Sequence, residues 1–320
     1  MTAVLLVGAG QLGSRYLQGL KSVPEPLHVT VVDPSAEALA LAERRWDQVG
    51  LARQHPRPTF RGSVRKAIAP RPAFWDLAIV STGAQHRLDV VTEIVARTAV
   101  RHWVLEKVLA QSSTDVRALE QQVGNLSAAF VNTSRRMMSG YAAIRKLVVP
   151  PLSVEIVGAK WGLASNAIHF IDMVAWMTRS GVSHVSVISE YGGWYETKRA
   201  GTFDMTGRVD AAFADGSELS MVSVPQGGTL SVSIVDSAGA HWTINQAAGI
   251  AWTSAGEMLQ VDFELQSAMT PHLVTELLTT GSCDLPTLED SARIHEPLLD
   301  ALLGDWNAVT GRSDSRVPIT

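Results

Sequence analysis

A single cysteine, Cys283, in 320 residues excludes an intramolecular disulfide and any structural site built on several thiolates. No group of His and Cys has zinc-site spacing, so no metal is expected. No run of about 18 apolar residues occurs, which argues against a transmembrane helix and a membrane partner. Cations are not in excess: 27 Lys and Arg stand against 31 Asp and Glu, for a net charge of −4 and a pI near 6.1, which speaks against nucleic-acid binding. The apolar start Ala3–Gly10 has no basic segment before it and runs straight into a glycine motif, so it is not read as a signal peptide. The near-absence of cysteine fits a reducing, cytoplasmic setting. Lysine is also scarce, at six residues against 21 arginines, so a lysine ending an apolar strand stands out.

What is present is ordinary globular material, 46% apolar and 18% charged, in a length suited to two domains. Over residues 1–125 and into the strand just beyond, apolar runs at Val4–Val7, His28–Val32, Leu77–Val80, Trp103–Leu105 and Ala128–Val131 alternate with helical patterns at Gln11–Lys21, Ser35–Trp46, Gln85–Thr98 and Ser113–Val123. This spacing predicts right-handed crossovers and a parallel sheet covered on both faces, with Arg53–Pro58 as a loop. Residues 126–320 read as an α+β domain. Pro150-Pro151 breaks the chain, and the apolar helix Asn166–Thr178 follows. Strands are expected at His184–Ser189, Phe203–Phe213, Glu218–Val224, Thr229–Val235 and His241–Asn245, and helices at Ser267–Thr280 and Leu288–Leu303. Asp215-Gly216 and Gly227-Gly228 look like hairpin turns, so a meandering antiparallel sheet is expected. Apolar residues in Leu230–Val235 and Trp242–Ile244 predict an open sheet face that an oligomer would cover.

The first strand ends in Gly8-Ala9-Gly10-Gln11-Leu12-Gly13, a G-x-G-x-x-G between a strand and a helix. Gly8 permits the tight turn, Gly10 lets the backbone approach a pyrophosphate, and Gly13 lets helix and strand pack closely. The helix N-terminus offers N–H groups to the phosphates. Asp33, closing the second strand, can accept both hydroxyls of the adenosine ribose and would repel a 2′-phosphate, so NAD is favoured over NADP. Arg44 and Arg45 are read as solvated. Ser81, Thr82 and His86 follow the strand Leu77–Val80, at the edge where such sheets bind ligands; for His86 a surface or capping role is an equal reading.

Glu106-Lys107 ends the next strand. A lysine there can polarise an oxygen next to a nicotinamide, or simply extend to solvent with Glu106 as its ion partner. On the apolar helix, His169 and Asp172 are three apart and share a face. Either they satisfy each other and nearby backbone, or they face a cleft. Ser165 or Asn166 is placed to cap that helix. Arg135 and Arg136, leaving the strand Ala128–Val131, can hold an anion or be solvated.

Together these pieces resemble the Gfo/Idh/MocA oxidoreductases, the glucose–fructose oxidoreductase and inositol dehydrogenase group. The resemblance rests on Gly8–Gly13, Ser81–His86, Glu106-Lys107, Asn132–Arg136, His169–Trp176 and a closing segment, Asp284–His295. It implies an NAD-dependent dehydrogenase acting on a sugar, aminosugar or sugar-nucleotide hydroxyl. Lys107 and His169 would be catalytic with Asp172 in the same motif, Glu106 would lie beside the cofactor, Asn166 and the arginines beside a carbohydrate-derived substrate, and the protein would be a homodimer or homotetramer. Imine or enone reduction, and a non-catalytic dinucleotide sensor, also occur in the family. Two positions depart from its pattern: Val108 stands where Pro usually follows the Lys, and Ser165 where inositol dehydrogenases carry Asp.

Overall fold

The strands of the first half are apolar on both faces, and burial explains why. In a computed structural model describing residues 2–50, 55–68, 74–124 and 128–320, Val4, Leu5 and Leu6 of β1 (Thr2–Val7) and Leu77, Ala78, Ile79 and Val80 of β4 (Phe74–Val80) are fully buried. With β2 (Leu27–Val32), β3 (Thr59–Arg61), β5 (Ala99–Glu106) and β6 (Ala128–Asn132) they form a six-stranded sheet in the order β3-β2-β1-β4-β5-β6, every pairing parallel. The crossovers are α1 (Gln11–Leu20), α2 (Ala36–Gln48), α3 (Val64–Ile68), α4 (Ala84–Val95) and α5 (Ser113–Leu119). This is the expected doubly wound arrangement; β3 and α3, too short to show a period, were not foreseen. Part of the expected loop Arg53–Pro58 and the expected domain boundary at 125–126 lie outside the described residues.

The chain divides into two compact units, neither continuous in sequence. The first comprises residues 1–109, 117–132 and 264–289; the second comprises 110–116, 133–263 and 290–320. In the first unit α8 (Gln266–Thr280) packs on α1. Contact is close because residue 19 is glycine: a Cβ there would lie 2.5 Å from Thr270 Cβ. Pro286 accepts from the Val131 amide at 3.0 Å, tying the segment before α9 (Leu288–Thr310) to β6.

In the second unit, α6 (Ser139–Arg145) and β7 (Leu152–Ala159) lead into α7 (Leu163–Thr178). Then follow β8 (Val182–Glu196), β9 (Phe203–Phe213), β10 (Glu218–Val224), β11 (Ser231–Asp236), β12 (His241–Asn245), β13 (Ile250–Thr253) and β14 (Met258–Gln260). The sheet order is β14-β13-β12-β11-β7-β10-β9-β8. Asp215-Gly216 makes the expected β9–β10 hairpin, with Gly216 at φ +88°. Gly227-Gly228 does not make one: β7 lies between β10 and β11 and runs parallel to β10, so that connection crosses over a strand.

The open sheet face is only partly as expected. Val154, Ile156, Val232, Ile234, Trp242 and Ile244 all turn to the buried side, where α7 packs. The two-residue period leaves Ser153, Glu155, Ser220, Ser233, Asp210 and His241 on the other side together with Val157, Val222, Val235 and Trp252, so that face mixes polar and apolar residues. Among the described residues, no helix is long and apolar enough to cross a membrane.

Candidate active site

In the first unit, the glycine motif has the geometry its sequence demands. Gly8 sits at φ +96°, a conformation L side chains rarely adopt. A Cβ on Gly13 would lie 1.8 Å from the Gly8 carbonyl oxygen. A Cβ on Gly10 would meet no protein atom within 4 Å, so the space beside the N-terminus of α1 is clear for a ligand to approach the backbone. Asp33 braces this loop: Oδ2 accepts from the Ala9 amide at 2.7 Å and Oδ1 from the Ser35 amide at 2.8 Å. Arg44 is exposed, as expected, and Arg45 is only partly so. The latter reaches the first turn of α1, donating to the Gln11 side chain at 2.5 Å and to Ser14 Oγ. Leu12 is partly exposed on the same turn.

Across the sheet, Ser81 Oγ donates to the carbonyls of Val7 at 3.0 Å and Gly8 at 2.8 Å, joining the two strand ends. Thr82 Oγ1 is buried and has no hydrogen-bond partner among the described residues, an orphan that a bound ligand would satisfy. The clear space at Gly10, the carboxylate at Asp33 and this orphan hydroxyl all fit a dinucleotide. His86 is exposed and contacts the Gln85 side chain, in agreement with its surface reading.

Glu106 is turned inward rather than toward Lys107 as a surface ion partner. It is 2% exposed and accepts from Tyr16 Oη at 2.6 Å and Asn132 Nδ2 at 2.5 Å; Asn132 Nδ2 also donates to Gln266 at 2.8 Å. Burial raises the Glu106 carboxyl above the usual carboxylate range despite these donors. The Tyr16 phenol is likewise pushed up, by burial first and by Glu106 second.

A residue missed from the sequence holds the segment after Lys107. Arg87 is buried in α4 and donates to the carbonyls of Val108, Leu109 (2.9 Å) and Thr82. Burial lowers its guanidinium to about 10. Because Arg87 bonds carbonyls on both sides, the Thr82 turn and the Lys107–Leu109 segment are fixed to each other.

In the second unit, α7 is buried nearly all round. Over residues 163–174 its incompletely buried positions are Ser165, Asn166 and His169, which fall on one side. The helix starts earlier than expected: Gly162, at φ +78°, is its N-cap residue and gives no side-chain cap. That job falls to Asp204 of β9, whose Oδ1 accepts from the Ala164 amide at 2.9 Å and whose Oδ2 accepts from Ser165 Oγ at 2.6 Å. Asn166 Nδ2 donates to the Trp161 carbonyl at 2.9 Å.

Asp172, grouped with His169 by spacing, is engaged elsewhere. It is 1% exposed and binds Arg136 in two bonds (Nε–Oδ2 2.9 Å, Nη2–Oδ1 2.6 Å) and Thr133 Oγ1 at 2.7 Å. Burial raises its carboxyl, and Arg136 and Thr133 partly offset that. Arg135 stacks its guanidinium 3.7 Å from the Phe170 ring centroid, and burial lowers its pKa. Both arginines are thus held by the protein. Thr133 and Asn132 are consecutive, one bracing Asp172 and the other Glu106.

No family model matches the sequence, and no curated protein matches it. Solved structures match over nearly the whole chain. One is GenD2 from gentamicin A biosynthesis in complex with NAD, at 17% identity and a TM-score of 0.71, covering 97% of this chain and 95% of that one. Another is a myo-inositol dehydrogenase from Lactobacillus casei in complex with NAD(H) and myo-inositol, at 14% and 0.68, covering 96% and 95%. A third is the UDP-N-acetylglucosamine 3-dehydrogenase GnnA from Acidithiobacillus ferrooxidans, at 14% and 0.68, covering 99% and 97%.

The chain has the fold of the Gfo/Idh/MocA-type oxidoreductases. Two local departures from that family's pattern now have a structural outcome. The Lys107–Val108 peptide is cis although residue 108 is not proline. Ser165, in place of an acid, bonds to an acid on a neighbouring strand.

Proposed function

We propose that this protein is an NAD-dependent oxidoreductase of the Gfo/Idh/MocA family that moves a hydride between nicotinamide and a sugar, aminosugar or sugar-nucleotide hydroxyl. The observation that carries the reading is the cofactor cradle: a clear approach at Gly10, Asp33 braced beside it, and the orphan Thr82 hydroxyl. Structures of the same fold have been solved with NAD, and among them are enzymes named for inositol and for a sugar nucleotide.

Gly8, Gly10, Gln11, Leu12 and Gly13 would receive the pyrophosphate on backbone N–H groups, Asp33 the ribose, and Ser81 and Thr82 the nicotinamide half. Bound NAD supplies the hydride acceptor. His169, on the open side of α7, takes the hydroxyl proton at a ring nitrogen as the C–H bond breaks and the C=O bond forms. Lys107 stabilises the negative charge that develops on that oxygen. Asn166 contacts substrate, while Glu106, Arg135, Arg136 and Asp172 act by positioning. A cytoplasmic setting belongs to this reading, on the strength of the single cysteine.

Titration of tryptophan fluorescence with NADH and NADPH tests the cofactor assignment. NADH is expected to bind more tightly, and Asp33→Ala to weaken it about tenfold or more, since charge-assisted hydrogen bonds contribute roughly 1.5–3 kcal/mol. Absence of binding by either cofactor would sink the oxidoreductase reading. A substrate screen at the NADH absorbance then separates oxidation of polyols from reduction of imines.

The reading includes a homodimer or homotetramer that covers the open face of the second sheet. Light scattering at micromolar concentration should give a multiple of 34.4 kDa; a monomer mass removes this part of the proposal and leaves the cofactor site untouched.

A further inference from the structure

A cation is out of place at the start of a helix, where the unpaired backbone N–H groups and the helix dipole are themselves positive. Arg45 occupies such a place. It belongs to the last turn of α2, but its guanidinium crosses to the first turn of α1. Nη1 donates to the Gln11 carbonyl at 3.2 Å and to Ser14 Oγ, and Nη2 donates to Gln11 Oε1 at 2.5 Å. All of these acceptors are neutral, and Arg45 forms no ion pair among the described residues.

The acids that could neutralise it are used elsewhere. Glu43 and Asp47 of the same helix pair with Arg57 at 2.9 Å and 3.2 Å. Glu37 accepts from Ser35 Oγ, and Asp33 accepts from the Ala9 and Ser35 amides. The first turn of α1 carries no acidic residue, and its N-cap Gly10 supplies no side chain. A second cation stands nearby: Arg15 of α1 is exposed and donates to Gln18 Oε1 at 2.8 Å. Burial, and after it Arg15, lower the Arg45 guanidinium from its usual range.

Lys21, just past the other end of α1, shows the opposite arrangement. Its Nζ donates to the Trp46 and Val49 carbonyls, both at 2.7 Å, at the C-terminus of α2, where the dipole favours a cation. Those bonds dock the end of α2 on α1 and bring Arg45 within reach of Gln11. The guanidinium in turn settles the Gln11 amide. Oε1 is turned to Arg45, so the Nε2 donors are directed away from it. Helix N-terminus, guanidinium and amide donor thus stand together beside Gly10, where an added Cβ meets no protein atom within 4 Å.

We propose that Arg45 is a cofactor-affinity residue. It places a positive charge beside the pyrophosphate and holds Gln11 so that Nε2 donates to a phosphate oxygen. The ligand class it favours is a diphosphate ester, negative at neutral pH. Such a ligand relieves the repulsion between Arg45 and the start of α1, so the unfavourable charge placement of the free protein becomes binding energy. This inference rests on the reading of the glycine loop as a dinucleotide site, and adds to it a residue from another helix.

The test compares proteins and salt concentrations. Binding of ADP-ribose to the full-length protein is measured by calorimetry at about 50 mM and about 500 mM NaCl. Arg45→Gln should weaken ADP-ribose about fivefold at the lower salt, the order expected of a partly exposed charge pair. The difference should shrink at the higher salt, where screening is stronger. Arg45→Lys keeps a charge without the planar fork and should recover about half of the loss on a logarithmic scale. Gln11→Leu, at an exposed position, should weaken ADP-ribose as well, and Arg45→Gln should then cost less in that background than alone. Equal affinity in wild type and Arg45→Gln at low salt, or a loss that salt does not change, would overturn the proposal and leave Arg45 a brace between two helices. If Arg45→Gln does not fold, Gln11→Leu decides: a loss supports the proposal and unchanged affinity overturns it. A wild-type protein that binds neither ADP-ribose nor NADH would fail the dinucleotide reading and this inference with it, whereas NADH binding that Arg45→Gln leaves untouched at low salt would fail this inference alone.

Discussion

Lys107→Met is expected to lower kcat about a thousandfold while leaving NADH affinity within about twofold, because general acid–base and charge-stabilising groups each contribute roughly 10²–10⁴ in rate. The lysine directly follows β5, and the segment it begins is fixed by Arg87 through the Val108 and Leu109 carbonyls. Methionine keeps the unbranched stem and removes only the charge, so folding and cofactor binding should survive. His169→Gln should cost a similar factor. The double variant should be far less damaged than the product of the two, as is usual for groups that serve one proton transfer. The measurement is steady-state kinetics at the NADH absorbance, with fluorescence titration for cofactor affinity. Equal turnover in wild type and Lys107→Met would remove the lysine from the chemistry. Binding of NADH without turnover of any polyol, imine or enone would favour a dinucleotide sensor.

The glycine-rich loop of the first unit and its brace were legible in the sequence because their signals are local. Gly8, Gly10 and Gly13 act within one turn, and Asp33 follows its strand directly, so spacing alone carries the argument. The α7 region was half legible. Its apolar character and the side bearing His169 follow from a helical period, but Asp204 lies 39 residues beyond Ser165, and no period links a strand carboxylate to a helix hydroxyl. Arg87 escaped for a related reason: in a helical pattern one arginine looks like solvent-facing polarity, and only the fold shows the three carbonyls around it. Strand β7 alternates plainly, Leu-Ser-Val-Glu-Ile, yet it follows Pro150-Pro151, which drew attention as a break instead. Missing that central strand is what turned the Gly227-Gly228 crossover into an expected hairpin.

The largest stability effect should come from the buried pair beneath α7. Removing one partner of a buried ion pair typically costs 3–5 kcal/mol, since the other charge stays desolvated and unpaired. Asp172→Ala is expected to fall in that range: it leaves the Arg136 guanidinium, whose side chain is 15% exposed, without the carboxylate that binds it in two bonds. Arg136→Met should cost as much at pH 8, but there the sign of the pH dependence is informative. Burial already raises the Asp172 carboxyl, and losing Arg136 removes the main opposing influence, so its pKa rises further. An acid whose pKa is higher folded than unfolded binds more protons in the native state, and stability then increases as pH falls. The cost of Arg136→Met should therefore shrink between pH 8 and pH 5.5, while that of Asp172→Ala should not shrink, because the wild-type carboxyl it is compared with is itself raised and adds stability as pH falls. Urea unfolding at the two pH values measures both. A cost for Arg136→Met that does not change with pH would mean that Asp172 is not the charge Arg136 neutralises. Asp172→Asn supplies the functional counterpart: it keeps an oxygen for Thr133 and one donor of Arg136, so it should retain much of the turnover that His169→Gln loses, as befits a residue that holds the helix rather than the proton.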